Sequence, residues 1–124
     1  MSGAEIECPP GLRAAAEAAL RAAGVVDGHL SVELVSAARI KELNRRYRGR
    51  DAPTDVLSFP IDEAVPALGP RELGDVVICP DHAEDVEEAV VHGVLHLAGL
   101  DHETDSGEML ELQRRALAEL RSRA

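Results

Sequence analysis

Aromatic side chains are almost missing from this chain: of 124 residues only Tyr47 and Phe59 are aromatic among Phe, Trp and Tyr. A core built on stacked rings is excluded, so Leu, Val, Ile and Ala must supply the packing. Cysteine is equally scarce. Cys8 and Cys79 are too few for a disulfide scaffold, and both sit in apolar stretches, the usage of buried free thiols in a cytosolic protein. No apolar run approaches the roughly 20 residues that a membrane span needs. The opening Met-Ser-Gly-Ala-Glu-Ile-Glu-Cys lacks the basic and apolar regions of a secretory signal, and a cytoplasmic location is expected. Positive charge is short as well. Thirteen basic against 23 acidic residues give −10, which taken alone disfavours a nucleic-acid binder.

What is present is ordinary in amount and uneven in placement. Hydrophobic residues at 45% and charged residues at 29% exclude wholesale disorder. A chain of this length buries roughly two thirds of its unfolded surface. With no repeat, low-complexity tract or linker, a single domain over residues 1–124 is expected. Residues 39–50 hold Arg39, Lys41, Arg45, Arg46, Arg48 and Arg50 against Glu42 alone. That window is +5, so with −10 overall the remainder carries −15: one basic stripe on an acidic body.

Periodicity predicts the elements. Ala4, Ile6 and Cys8 alternate with polar residues as a first strand. A helix follows Pro9-Pro10, with Leu12, Ala15, Ala16, Ala19, Leu20 and Ala23 at threes and fours before Gly24. Leu30, Val32 and Leu34 have strand period. Ser36 caps a second helix through about Arg48, with Ile40, Leu43 and Tyr47 inward and Gly49 closing it. The turn 51–55 leads into the strand Val56–Phe59, stopped by Pro60, and 62–72 reads as a loop. Asp75–Cys79 is a continuous apolar strand suited to the middle of a sheet. Asp81 and Glu84 form a capping-box pattern for a helix over about 82–98, and Asp105 and Glu108 repeat it for a last helix. The order βαβαββαα implies an α+β fold, a small mixed sheet of about four strands flanked by helices.

Three of the five histidines fall within eleven residues, 92–102. On a helix His92 and His96 project one turn apart from the same face. Gly99 lets the chain turn back, so His102 can face the other two imidazoles. Three imidazoles suit zinc and leave a fourth position for water. A histidine on an apolar helix is more often a core residue satisfied by a carbonyl or carboxylate. Two polar rings in an otherwise apolar helix, with a third after a turn-forming glycine, argue against that bland account here. A fully protein-bound structural site would want a fourth ligand; Cys79 is a candidate by type, but a central strand should point it into the core. His29 and His82 lie at element ends and are expected at the surface. The spacing resembles the zincin pattern H-E-x-x-H-x-x-G-x-x-H, except that the glutamate serving as general base in those peptidases is Gly93. A zincin-like metal helix is expected, without support for peptidase chemistry.

The segment His92-Gly93-Val94-Leu95-His96-Leu97-Ala98-Gly99-Leu100-Asp101-His102 resembles the H-G-x-L-H-L-x-G-x-D-H motif of the YbeY family, zinc-dependent bacterial endoribonucleases of ribosomal RNA maturation. The blocks from Leu43 to Pro60 and from Leu73 to Cys79 agree, so the resemblance covers about residues 30–118. It implies a mixed sheet flanked by helices, one zinc held by His92, His96 and His102, and cleavage of single-stranded RNA. It also implies that Arg48, in the Y-R-G motif, faces the metal cleft and is needed for function. Partners implied are single-stranded RNA or rRNA and the ribosome or its proteins, with no membrane and no DNA. The segment between Cys79 and Val91, eleven residues here, is shorter than the family's usual helical lead-in, and the family's lysine after Y-R-G is Arg50.

The stripe then has a use, since arginine's planar fork meets two phosphate oxygens at once. Arg45 and Arg46 read equally well as a solvated helix terminus favoured by the macrodipole. Thr54, Asp55 and Ser58 could line the cleft, and Asp101 either orients a histidine or caps the turn. The expected chemistry is metal-assisted phosphodiester cleavage with Arg48 neutralising transition-state charge. Attack by an activated water and attack by the RNA 2′-hydroxyl both remain open, and no general base is evident. Two other readings stand beside it: a metallopeptidase-like hydrolase, and a non-catalytic ribosome-assembly factor with structural zinc.

Overall fold

The computed structural model describes residues 3–61, 72–101 and 103–122. Four strands and four helices follow in the order β1 (Gly3–Glu7), α1 (Arg13–Ala22), β2 (Asp27–Leu34), α2 (Ala37–Arg48), β3 (Val56–Pro60), β4 (Glu72–Ile78), α3 (Val86–Leu97) and α4 (Glu108–Ser122), with a 3-10 turn over Pro80–His82. The sheet order is β1-β2-β4-β3; β1 and β2, and β2 and β4, are parallel, and β3 runs antiparallel to β4. The expected α+β fold with a four-stranded mixed sheet is therefore what forms. The loop expected over 62–72 lies outside the described residues except for Glu72, which opens β4. Among the described residues no helix is long and apolar enough to cross a membrane.

The two faces of the sheet are treated differently. On one face Ile6, Leu30, Val32, Val76 and Ile78 pack beneath α1, α3 and α4 in the main core, which is aliphatic as the composition requires. On the other face α2 covers only the β3–β4 side, where Ile40 and Leu43 meet Leu57, Val77 and Cys79. Cys79 is fully buried in that second cluster, as a central-strand residue should be, and Cys8 is half-buried against the main core. Burial pushes the Cys8 thiol above its ordinary range, the nearby Arg13 partly opposing it.

Helix ends follow local chemistry. The Ser36 side chain accepts from Arg39 N at 3.1 Å, and Gly49 ends α2 at φ +71°. Asp105 accepts from Met109 N at 2.8 Å just before α4. The start of α3 differs from expectation: Asp81 falls in the 3-10 turn, and Asp85 caps instead, accepting from Glu88 N at 3.1 Å. Both Asp81-x-x-Glu84 and Asp85-x-x-Glu88 carry the pattern, and Pro80 favours a tight turn over the earlier start.

Three side chains depart from the periodic reading. Tyr47 is 60% exposed because α2 turns Asn44 rather than Tyr47 inward, and Leu34, the last residue of β2, is 39% exposed. Tyr47 instead meets Phe59 edge to face at 5.3 Å. His29 lies within β2 rather than at an element's end, with Nδ1 2.8 Å from Glu72 and Nε2 3.6 Å from Glu7. The Glu72 hydrogen bond is the main cause of a raised His29 pKa, with the charges of Glu72 and Glu7 adding to it against partial desolvation.

Candidate metal centre

Helix α3 carries the centre, and its placement depends on one missing side chain. A Cβ on Gly93 would stand 2.5 Å from Val76 Cγ1, 3.2 Å from Val56 Cγ2 and 3.2 Å from Ser58 Oγ. The helix can approach β3 and β4 this closely only with glycine there. Ser58 Oγ then donates to Gly93 O at 3.0 Å, fastening the strand to the helix between the two histidines. The position that holds a general base in zincin peptidases is here packed against the sheet, so the departure from that pattern has a steric cause.

His92 and His96 are half-buried on one face of α3, their rings edge to face with centroids 4.8 Å apart. The His92 ring is oriented from α4: its Nδ1 lies 2.8 Å from Gln113 Oε1. Gln113 Nε2 in turn donates to Glu88 at 3.5 Å. Because the carboxylate accepts only, it fixes which way the amide points, and the amide oxygen then calls for a proton on Nδ1. Nε2 is left as the ring's acceptor nitrogen, the form in which imidazole ligates a metal. Two imidazoles held this way fit a zinc-type donor set. His102 lies outside the described residues, and no group of three candidate ligands occurs among the described ones.

Both rings open onto a cleft of about 600 Å³ bounded by the C-terminal end of α2, the turn after it and β3. Arg48 and Arg50 line it together with Thr54, Asp55 and Ser58. Asn44 and Gln113 are functional residues absent from the sequence expectations, and Asn44 also lines the cleft. Buried at 6% exposure, it donates from Nδ2 to Ala52 O at 2.8 Å and ties the turn to α2. An asparagine four residues before the basic helix end at Arg48, ahead of a Pro-containing turn, was the available signal. Arg48 reaches β3, Nη2 donating to Ser58 O at 3.4 Å. Arg45 is exposed and outside the cleft lining; Arg46 lies over the Tyr47 ring and beside Glu42 at 3.7 Å. Asp101 also lines the cleft, and its side chain accepts from Glu103 N at 3.0 Å, capping the turn.

Many known proteins are similar to this chain. Residues 10–121 match the family model described as Endoribonuclease YbeY. A curated protein of that name from Rubrobacter xylanophilus is 48% identical over 101 residues, covering 77% of this chain and 70% of its own. Another from Salinispora tropica is 40% identical over 146 aligned residues, covering 98% and 92%. The solution structure of TM1509 from Thermotoga maritima superposes with a TM-score of 0.56 at 33% identity, over 95% of this chain and 93% of that one. With the metal-type histidine pair, the arginine-bordered cleft and these relatives together, the chain belongs to the YbeY family.

Proposed function

We propose that this protein is a zinc-dependent endoribonuclease that cleaves single-stranded RNA, with ribosomal RNA as its substrate and the ribosome or its proteins as partners, acting in the cytoplasm as one domain over residues 1–124. The observation that carries the reading is the pairing in one cleft of His92 and His96, rings 4.8 Å apart, with the Arg48 guanidinium. Relatives named as endoribonucleases support the reaction class.

His92, His96 and His102 would hold one zinc, which when bound supplies Lewis-acid charge withdrawal at a phosphoryl oxygen and a lowered pKa for water. Gln113 keeps His92 in the ligating tautomer. Arg48, on the rim formed by the end of α2, balances negative charge building on the phosphorus oxygens in the transition state. Asn44 holds the turn that carries Arg50 and Thr54 toward the same phosphate. No side chain in the described part of the cleft is placed as an unambiguous general base, and products ending in a 2′,3′-cyclic phosphate would identify the RNA 2′-hydroxyl as the nucleophile. Gly93 argues against the peptidase alternative.

The test is zinc analysis of the purified protein beside cleavage of single- and double-stranded RNA, with and without chelator. One zinc per chain and chelator-sensitive cleavage of the single strand are expected. Full zinc content without cleavage would instead favour an assembly factor with structural zinc.

A further inference from the structure

The open edge of β3 follows the same cleft, and its hydrogen-bonding groups can be assigned one by one. Cys79 N donates to Asp55 O at 2.9 Å and Ile61 N to Leu73 O at 3.3 Å. In the antiparallel register Val56↔Ile78 through Pro60↔Gly74, residues 55, 57, 59 and 61 therefore turn their backbone groups toward β4. Val56, Ser58 and Pro60 turn theirs outward. Among the described residues β3 has no strand on that side.

This edge offers two donors, the Val56 and Ser58 amides, and two acceptors, the Val56 and Pro60 carbonyls. The outward Ser58 carbonyl accepts from Arg48, and Pro60 has no N–H to offer. A peptide strand adding to the sheet needs a donor and an acceptor from each outward residue, and only Val56 presents both. A phosphate needs donors alone. The Val56 and Ser58 amides are spaced two strand residues apart, about 6.6–6.8 Å. They run beside the guanidinium of Arg48 and the His92–His96 pair, with Arg50 lining the same cleft. The Asp55, Asp101 and Glu103 carboxylates lie in the cleft too, which makes neutral amide donors and a flanking arginine the favourable path for an anionic chain.

We propose that the outer edge of β3 is a binding rail on which the Val56 and Ser58 amides hold phosphates of an extended single-stranded RNA next to the reacting one. The proposal rests on the endoribonuclease reading and adds a backbone subsite to it. Backbone N–H groups bind phosphates without reading bases, so the rail is indifferent to sequence.

The test is residue-resolved amide exchange of the zinc-loaded full chain at low salt, with a short single-stranded 2′-O-methyl oligonucleotide recovered intact afterwards. Exchange at Val56 and Ser58 should slow about tenfold or more, the scale of a charge-assisted hydrogen bond. Leu57, already bonded within the ladder, should not change. The same oligonucleotide with neutral methylphosphonate links should lose the protection. Unchanged exchange at Val56 and Ser58 with the oligonucleotide bound overturns the rail, as does protection by an extended peptide but by no oligonucleotide. Cleavage of single-stranded RNA without this protection retains the nuclease reading and removes the rail. Protection without any cleavage supports the rail and removes the nuclease.

Discussion

At the scale of single residues, Gln113 and Arg48 act on the same cleft in separable ways. Gln113→Leu leaves the Nδ1–H of His92 without its acceptor and should weaken zinc binding about 10–100-fold in a chelator competition. Gln113→Glu keeps an acceptor at the same reach and should hold affinity near the parent value, which a loss of packing alone would not explain. Arg48 is exposed and cannot ligate zinc, having no acceptor nitrogen. Arg48→Ala should therefore keep zinc content and melting temperature while lowering the rate of single-stranded RNA cleavage about 10²-fold. Unaltered cleavage at full zinc content would return Arg48 to the role of a solvated helix end. His92 and His96 could be paired in the sequence because they stand one helical turn apart, whereas Arg48 was reached through the resemblance of its Y-R-G motif. Gln113 was not, for it lies 21 residues from His92 and meets it only when α4 packs on α3.

At the scale of elements, the contact between α3 and the β3–β4 pair decides where the histidines stand. Gly93→Ala forces a methyl against Val76 and the strand, an overpacking that should cost about 1–3 kcal/mol, read as a lower urea midpoint with an unchanged slope. Because the helix must move off the strand, Ser58 should lose its bond to Gly93 and zinc affinity should fall as well. Gly74 answers a similar demand in β4. Its φ of +129° accompanies a one-residue slip in register against β2, and a Cβ there would lie 2.2 Å from Phe59 O. The order and type of all eight elements could be read from periodicity and caps. The start of α3 could not, since two capping patterns four residues apart compete and only the geometry after Pro80 chooses between them. Tyr47 misled for a related reason: its helical phase is one step beyond the last contact that the β3–β4 face provides.

At the scale of the molecule, the uncovered half of the sheet carries a cluster of carboxylates. Glu5 and Glu7 on β1, Glu33 on β2 and Glu72 and Asp75 on β4 are exposed there around His29. Ser31 and Asp75 pair across the same face. Since the folded pKa of His29 is raised, the stability it adds is complete below its ordinary value near 6.5 and is lost as pH climbs through the higher folded value. The melting temperature of the parent protein should exceed that of His29→Gln at about pH 5.5 and converge with it by about pH 8.5. The gap should be a few °C at most, because Glu72 and Glu7 are themselves half or more exposed. A gap that widened as pH rose would contradict the assignment of Glu72 as the partner.

The strand order has an electrical consequence. With β1 and β2 at one side and β3 at the other, Glu5, Glu7 and Glu33 stand toward one margin of a sheet about 14 Å wide, and Arg48 and Arg50 stand at the other beside Asp55, Asp101 and Glu103. The net charge of −10 has the same sign as RNA. Far from a polyanion the protein is repelled; within about one Debye length, the near end dominates and the field applies a torque that swings the β3 margin forward. Approach in any other attitude is turned away. A duplex stem, broad and uniformly charged, confronts both margins at once, whereas a single strand standing clear of its surroundings can be met by the Arg48 and Arg50 margin first.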